Sequence, residues 1–499
     1  MAGTPFHLAW FLQGSSVQAW GEPWTGHIGT TWQQPELFLD MARSLERACF
    51  DYILLEDSSY VGESFGGSTE IYLKKAIAVP RQDPSVVAAL MTQVTSRIGI
   101  VPTFGTYAYH PYLLARLVAT LDQVSAGRAG WNAVTGSSDF AAMNFGLPGM
   151  PEHDLRYDMA DEYMEVVRGL WGSWEPGAII ADRKSGVLVD HTKVHGVNYE
   201  GKFFKTRGPL NSGPGPQGQP VIAQAGGSPR GRRFAAAHAD TIVVNAKGID
   251  AMRAYRADVH KHMLAQGRNP SDCKVLFLIN PILGETMEEA LERKKKRECM
   301  AQANIQERLA HFGKVTNIDF GKFDLDKPLP DDVTTNGHQL NLEQFRTMAA
   351  GRSIRQTMAS FNAVDLSVDL CGTCDSVAAR MGEVMQEVGG DGFLFSMPNV
   401  NRRTLAEIED GLVAGDGNGA DGGGRPSRQA LPARRRQGAL RRQRLERDDS
   451  AKSPERHRHR GRLCRRALLL HAAGGRRHLD GAQGTLERRH PAPRHRRAC

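Results

Sequence analysis

PVIAQAGGSPRGRRFAAAHADTIVVN (220–245) contains one complete strand–helix–strand unit. PVIAQAG (220–226) is a short apolar run bounded by glycines, which reads as a strand. Ser228 suits the N-cap of the following helix and Pro229 its first position, where a missing N–H costs nothing. TIVVN (241–245) is β-branched and apolar, hence a second strand. Two strands joined through a helix lie parallel in one sheet.

The same alternation extends in both directions. HLAWFL (7–12), YILLE (52–56), IGIVPTF (98–104), AGWNAVT (129–135), KVLFLIN (274–280) and GFLFSM (392–397) are further strand candidates. Between the early ones lie PELFLDMARSLERACF (35–50), PSVVAALMTQVTS (84–96) and PYLLARLVATLDQVS (111–125), with apolar positions three and four apart. Eight such strands predict an α/β fold, a closed (β/α)8 TIM barrel, in preference to an open doubly wound sheet. No GxGxxG follows any strand, so the dinucleotide fingerprint of the open sheet is missing. Two connections exceed a simple crossover. Residues 136–219, after strand 4, hold a helix near 157–172 and strand-like pieces at GVLVD (186–190) and KFFKT (202–206). Residues 281–391, after strand 7, hold a charged helix (287–312), a loop and helices from about 341. Long loops at the carboxyl-end face of a barrel shape its site.

Charge divides the 499 residues unevenly. The whole chain carries a formal +8, but residues 1–412 sum to −7 and residues 413–499 to +15. An acidic body gives no support to nucleic-acid binding; only the tail does. That tail has 22 Arg, one Lys and no Phe, Trp or Tyr. It reads either as a disordered basic arm or as a shifted reading frame in a GC-rich gene, which the Arg/Ala/Gly/Pro/His bias favours. The expected division is therefore a barrel over 1–412 and a low-complexity tail over 413–499. Seven scattered cysteines make no disulfide framework, and no apolar run approaches the ~20 residues of a membrane span. The amino terminus lacks the pattern of a secretory signal, so a cytoplasmic protein with no membrane partner is expected. Cys371 and Cys374 form one CxxC without a second pair, and no metal site is expected.

Five segments carry chemistry: LLEDSS (54–59), TFGTYAYHPYLLAR (103–116), ATLDQVSAGRAGWNAVTG (119–136), EHDLRYDMADEYMEVVRGLW (152–171) and QAGGSPRGRRFAAAHAD (224–240). In that order they resemble the bacterial luciferase-like flavin monooxygenases, in the nitrilotriacetate, dibenzothiophene-sulfone and long-chain alkane monooxygenase branch. The resemblance runs through residues 6–412. It implies a two-component enzyme using reduced FMN (FMNH2) and O2 to oxygenate a small organic, xenobiotic-type molecule. A separate NAD(P)H:flavin oxidoreductase would be its partner and a homodimer or homotetramer its assembly.

On its own, the glycine-rich end of 224–240 is either an ordinary capped helix or an anion site. The resemblance assigns Ser228 and Gly227 to the FMN phosphate. His153 and Tyr157, four apart and on one helical face if the helix has begun, are assigned to the phosphate and ribityl region. Asp57, Thr103 and Asn132 stand at strand ends, where barrel site groups project. The first two are assigned as flavin contacts and Asn132 as a catalytic-pocket residue. His311, in LAHFG, is the candidate proton handler, with a role as a helix histidine left open. LQGSSVQAW (12–20) has no cysteine, which departs from the alkane-monooxygenase pattern. Trp10, Trp20, Trp24 and Trp32 form a candidate aromatic pocket or part of the core. Two rival functions remain: a deazaflavin-dependent hydride-transfer enzyme on the same fold, and a nucleic-acid-binding protein acting through the tail.

Overall fold

A computed structural model of the chain describes residues 6–13, 31–361, 367–397 and 402–413. Eight parallel strands close into a barrel: β1 (His7–Leu12), β2 (Tyr52–Leu55), β3 (Gly99–Gly105), β4 (Gly130–Val134), β5 (Val221–Gln224), β6 (Thr241–Val244), β7 (Lys274–Ile279) and β8 (Gly392–Ser396). Closure is made by β1 pairing with β8, His7 opposite Gly392 through Phe11 opposite Ser396. The (β/α)8 expectation is met, with the long insertions after β4 and β7.

Alternation along each strand sorts the side chains into two cores. Ala9, Tyr52, Leu54, Val101, Ala223, Val243, Leu276 and Leu394 fill the barrel. The one long polar group among them is satisfied, since the Tyr52 hydroxyl lies 3.1 Å from Thr241 Oγ1. Their neighbours Trp10, Ile53, Ile100, Trp131, Ile242, Phe277 and Phe395 face outward into the helical layer. Trp10 is fully buried and stacked on Phe395 at 5.8 Å, so it belongs to this core and not to a pocket. Trp32 is half-buried, its carbonyl accepting from the Gln82 amide. Trp20, Trp24 and the expectations for the tail from residue 414 lie outside the described residues.

The helical layer comprises α1 (Glu36–Arg47), α2 (Pro84–Gln93), α3 (Pro111–Val124), α4 (His153–Trp171), α5 (Pro229–His238) and α6 (Ile249–Ala265). It continues through the second insertion as α7 (Met287–Ala303), α8 (Ile305–Thr316) and α9 (Gln339–Ala349), then α10 (Cys374–Val388). Three of these helices start with the same device, a capping side chain followed by proline. Asp83 Oδ1 accepts from Ser85 N at 2.8 Å before Pro84, His110 Nδ1 from Tyr112 N at 3.2 Å before Pro111, and Ser228 Oγ from Gly231 N at 3.0 Å before Pro229.

The charged helix expected over 287–312 is two helices. Asn304, with φ −106° and ψ 38°, ends α7 and turns the chain into α8. Asparagine is a poor helix former, and the turn lets Leu309 and Phe312 join Ile318, Phe320, Leu342 and Phe345 in a separate small core. The second insertion is therefore a packed body of its own at the mouth of the barrel.

Candidate active site

Four neighbouring strands carry the predicted residues in order. Asp57 follows β2, Thr103 is in β3, Asn132 in β4, and Gly227 and Ser228 follow β5. They thus line one arc of the carboxyl-end rim.

At the β5 end of the arc, the Ser228 side chain caps α5. The N–H groups of Gly227, Ser228 and Arg230 have no intramolecular acceptor among the described residues. Close packing keeps this end bare. A Cβ on Gly231 would stand 2.7 Å from the Tyr157 hydroxyl, and one on Gly227 would stand 2.4 Å from the Leu340 side chain. The chain can supply only glycine at either position without moving those neighbours. α4 begins at His153, because Glu152 caps it by accepting from Asp154 N at 3.0 Å and Leu155 N at 3.1 Å. His153 and Tyr157 therefore share a face, their rings 5.2 Å apart. The Tyr157 phenol faces Thr135, Ser228 and Gln224; burial pushes its pKa up against their hydrogen bonding. The Arg230 guanidinium lies 5.5 Å over the Tyr157 ring, held by Asp158 and Asp161.

In the middle of the arc, Thr103 and Asn132 are paired to each other and buried. Asn132 Nδ2 donates to Thr103 Oγ1 at 2.9 Å, and Thr103 donates to the Leu55 carbonyl at 2.6 Å. Asn132 Oδ1 is buried with no partner. Gln224 Oε1, on the next strand, is in the same state.

The β2 end is charged. Burial pushes the Asp57 carboxyl up to about 6, against the pull of Arg81. Glu56 is also pushed up by burial, but Arg81, whose Nη2 is 3.2 Å from Glu56 Oε2, and then Lys314 outweigh this and hold its pKa below the usual value. Above them sits the second insertion. Lys314 Nζ donates to Ser58 Oγ at 3.1 Å, and the Tyr60 hydroxyl donates to the Lys314 carbonyl at 2.9 Å. His311, three residues earlier on the same face of α8, is open to solvent although protein surrounds it, as expected on the wall of a recess. His338, just before α9, is placed in the same way. Burial and the Lys314 charge push both imidazoles down, His338 to about 4. Ala225, one residue past the buried end of β5, is exposed, as the floor of that recess would be. Two clasps hold the roof: Arg156 to Asn336 and Asn317 to Asp139.

A family model described as luciferase-like monooxygenase matches residues 16–392. The chain belongs to the luciferase-like monooxygenase family. It is accordingly a flavin-dependent monooxygenase. It is 36% identical over 376 residues to a dimethyl-sulfide monooxygenase of Hyphomicrobium sulfonivorans, covering 73% of this chain and 78% of that one. It is 33% identical to nitrilotriacetate monooxygenase component A of Aminobacter aminovorans, over 72% of this chain and 80% of that one. Among solved structures, a riboflavin lyase bound to modified FMN and riboflavin superposes with a TM-score of 0.74 at 29% identity, over 82% of this chain and 91% of that one.

In this luciferase-like monooxygenase the sequence reading missed Glu56, Arg81, Gln224, Lys314 and His338. Lys314 was within reach, being one helical turn from His311. Glu56 adjoins Asp57, and Gln224 opens the 224–240 motif. Arg81 and His338 carry no local signal; only tertiary packing brings them to the rim. Among the described residues, no helix is long and apolar enough to cross a membrane.

Proposed function

We propose that this luciferase-like monooxygenase is the oxygenating member of a two-component system. It would take reduced FMN from a separate NAD(P)H:flavin oxidoreductase and use O2 to oxygenate a small organic molecule. The observation that carries the reading is the row Asp57–Thr103–Asn132–Ser228 on four consecutive strands, with unspent backbone N–H groups at one end. The residues fit FMN. Gly227, Ser228 and Arg230 N–H groups at the start of α5 would hold the phosphate, with Tyr157 and His153 along the phosphate and ribityl chain. Asp57, Thr103 and the unpartnered Asn132 Oδ1 and Gln224 Oε1 would meet the polar edge of the ring. Reduced FMN, when bound, supplies the electrons that activate O2. His311 would move a proton at the reacting oxygen, and the second insertion would keep water out. The missing dinucleotide fingerprint and a relative named as a component A support a separate reductase. A barrel of residues 1–412 would suffice, and deleting the tail from residue 415 should leave FMN affinity unchanged.

Ser228→Asp tests the phosphate assignment. Aspartate is as good an N-cap as serine, so α5 should survive while the added charge repels the phosphate. FMN affinity should fall at least tenfold, about 1.4 kcal/mol or more. Unchanged affinity in a folded variant refutes the site. With NADH, FMN and a generic reductase, an oxygenated product should form; without the reductase, NADH should not be consumed. Substrate reduction without O2 uptake would favour the deazaflavin reading.

A further inference from the structure

Lys314 is 4% exposed, yet no carboxylate lies within 4 Å of its ammonium among the described residues. The ammonium donates to the Ser58 hydroxyl at 3.1 Å and lies 4.9 Å over the Tyr60 ring. An ammonium has three donors, so two remain unspent. Glu56, which is engaged by Arg81, and Asp57 both favour its charge from a distance, but burial outweighs them and pushes its pKa down to about 8. Burying a cation with no carboxylate in contact is expensive, and a charge so placed at the mouth of a barrel is a functional-site candidate.

The neighbours on the open side point the same way. His311 is on the same face of α8, and His338 enters from the turn before α9. Each imidazole can present an N–H donor. The second insertion therefore places hydrogen-bond donors around one positive charge that has no carboxylate in contact. A neutral sulfide or hydrocarbon would leave these donors unsatisfied, whereas a carboxylate accepts short, charge-assisted hydrogen bonds from all three. The flavin is assigned to the β2–β5 rim below, and the second reactant is placed against this roof at its Lys314 end.

We propose that the substrate of this site carries a carboxylate, received by Lys314 with His311 and His338 beside it. This rests on the flavin-site reading above and goes beyond it in naming the substrate class.

The test compares thiodiglycolate, iminodiacetate and succinate with dimethyl sulfide by calorimetric titration of the FMN-loaded chain. At least one carboxylate should bind ten times more tightly than dimethyl sulfide. Lys314→Gln should weaken that binding at least tenfold, and Lys314→Arg should restore most of it, with FMN affinity constant throughout. If no carboxylate outperforms dimethyl sulfide, or if K314Q binds it as the parent does, the proposal is overturned. Loss of reduced-FMN affinity in K314Q, with carboxylate affinity intact, would also overturn it and assign the ammonium to the flavin. Repeating the titrations on the flavin-free chain separates the two readings. Carboxylate binding there depends on Lys314, whereas failure of FMN to bind the native chain counts against the flavin site alone.

Discussion

The Asn132 amide donates to the Thr103 hydroxyl at 2.9 Å, and Thr103 in turn donates to the Leu55 carbonyl at 2.6 Å. One chain of hydrogen bonds therefore ties β4 to β3 and β3 to β2 beneath the rim. It also aims the free Oδ1 of Asn132. Thr103→Val keeps the shape but removes the link, leaving a buried N–H and a buried carbonyl short of partners. The expected cost is about 1–3 kcal/mol, read by denaturant unfolding, with weaker FMN binding. Thr103→Ser should keep both properties. A T103V chain as stable as its parent would show that the link is dispensable.

This pairing also shows what the sequence could and could not reveal. Strand ends were legible because β-branched runs stop at Gly, Pro and Asp, and side chains there project to the rim. Thr103 and Asn132 could be placed on that rim from sequence. That they satisfy each other depends on the register of β3 against β4, Thr103 opposite Asn132, which pattern alone does not specify. The roof was less legible still. Asn304 bends one predicted helix into two, and only that bend brings Lys314 over Ser58.

Asp57 should make stability depend on pH. Its folded pKa is about 6 against an ordinary value of 3.8, because burial disfavours the charge. Between these values the folded chain keeps a proton that the unfolded chain has released. Stability from this group is therefore full below about pH 3.8, is lost as pH rises towards 6, and stays lost above it. Asp57→Asn removes the penalty. Its melting temperature should exceed the parent's at pH 7, and the difference should shrink towards pH 4. An equal difference at both pH values would refute the raised pKa.

Arg156 should control the roof. Its buried guanidinium donates to the Pro151 carbonyl at 2.6 Å, to Asn336 Oδ1 at 2.9 Å and to the Asn336 carbonyl at 2.8 Å. It therefore pins the turn before α9 to the start of α4. Arg156→Met keeps the packing volume and breaks the clasp, at a cost of about 1–3 kcal/mol. Hydrogen exchange should rise in 330–345 and remain as before in β1–β8. Uniform exchange in both regions would mean that the clasp does not hold the insertion.

His311 has the last role to be tested. It is open to solvent, and burial, Lys314 and Arg81 push its pKa below the usual value. At neutral pH the imidazole is therefore uncharged, with one nitrogen to accept a proton and one to donate. A group in that state can pass a proton at the reacting oxygen without carrying charge into the site. His311→Ala should leave FMN affinity unchanged, since the residue is not among those assigned to hold the flavin. Product formed per O2 consumed should fall several-fold, with hydrogen peroxide making up the difference. An oxygen electrode read against product chromatography gives that ratio. His311→Gln, which can donate but cannot take up a proton near neutral pH, should fail in the same way. If both variants keep the parent ratio, the proton is handled elsewhere, and His338, across the same recess, becomes the group to replace.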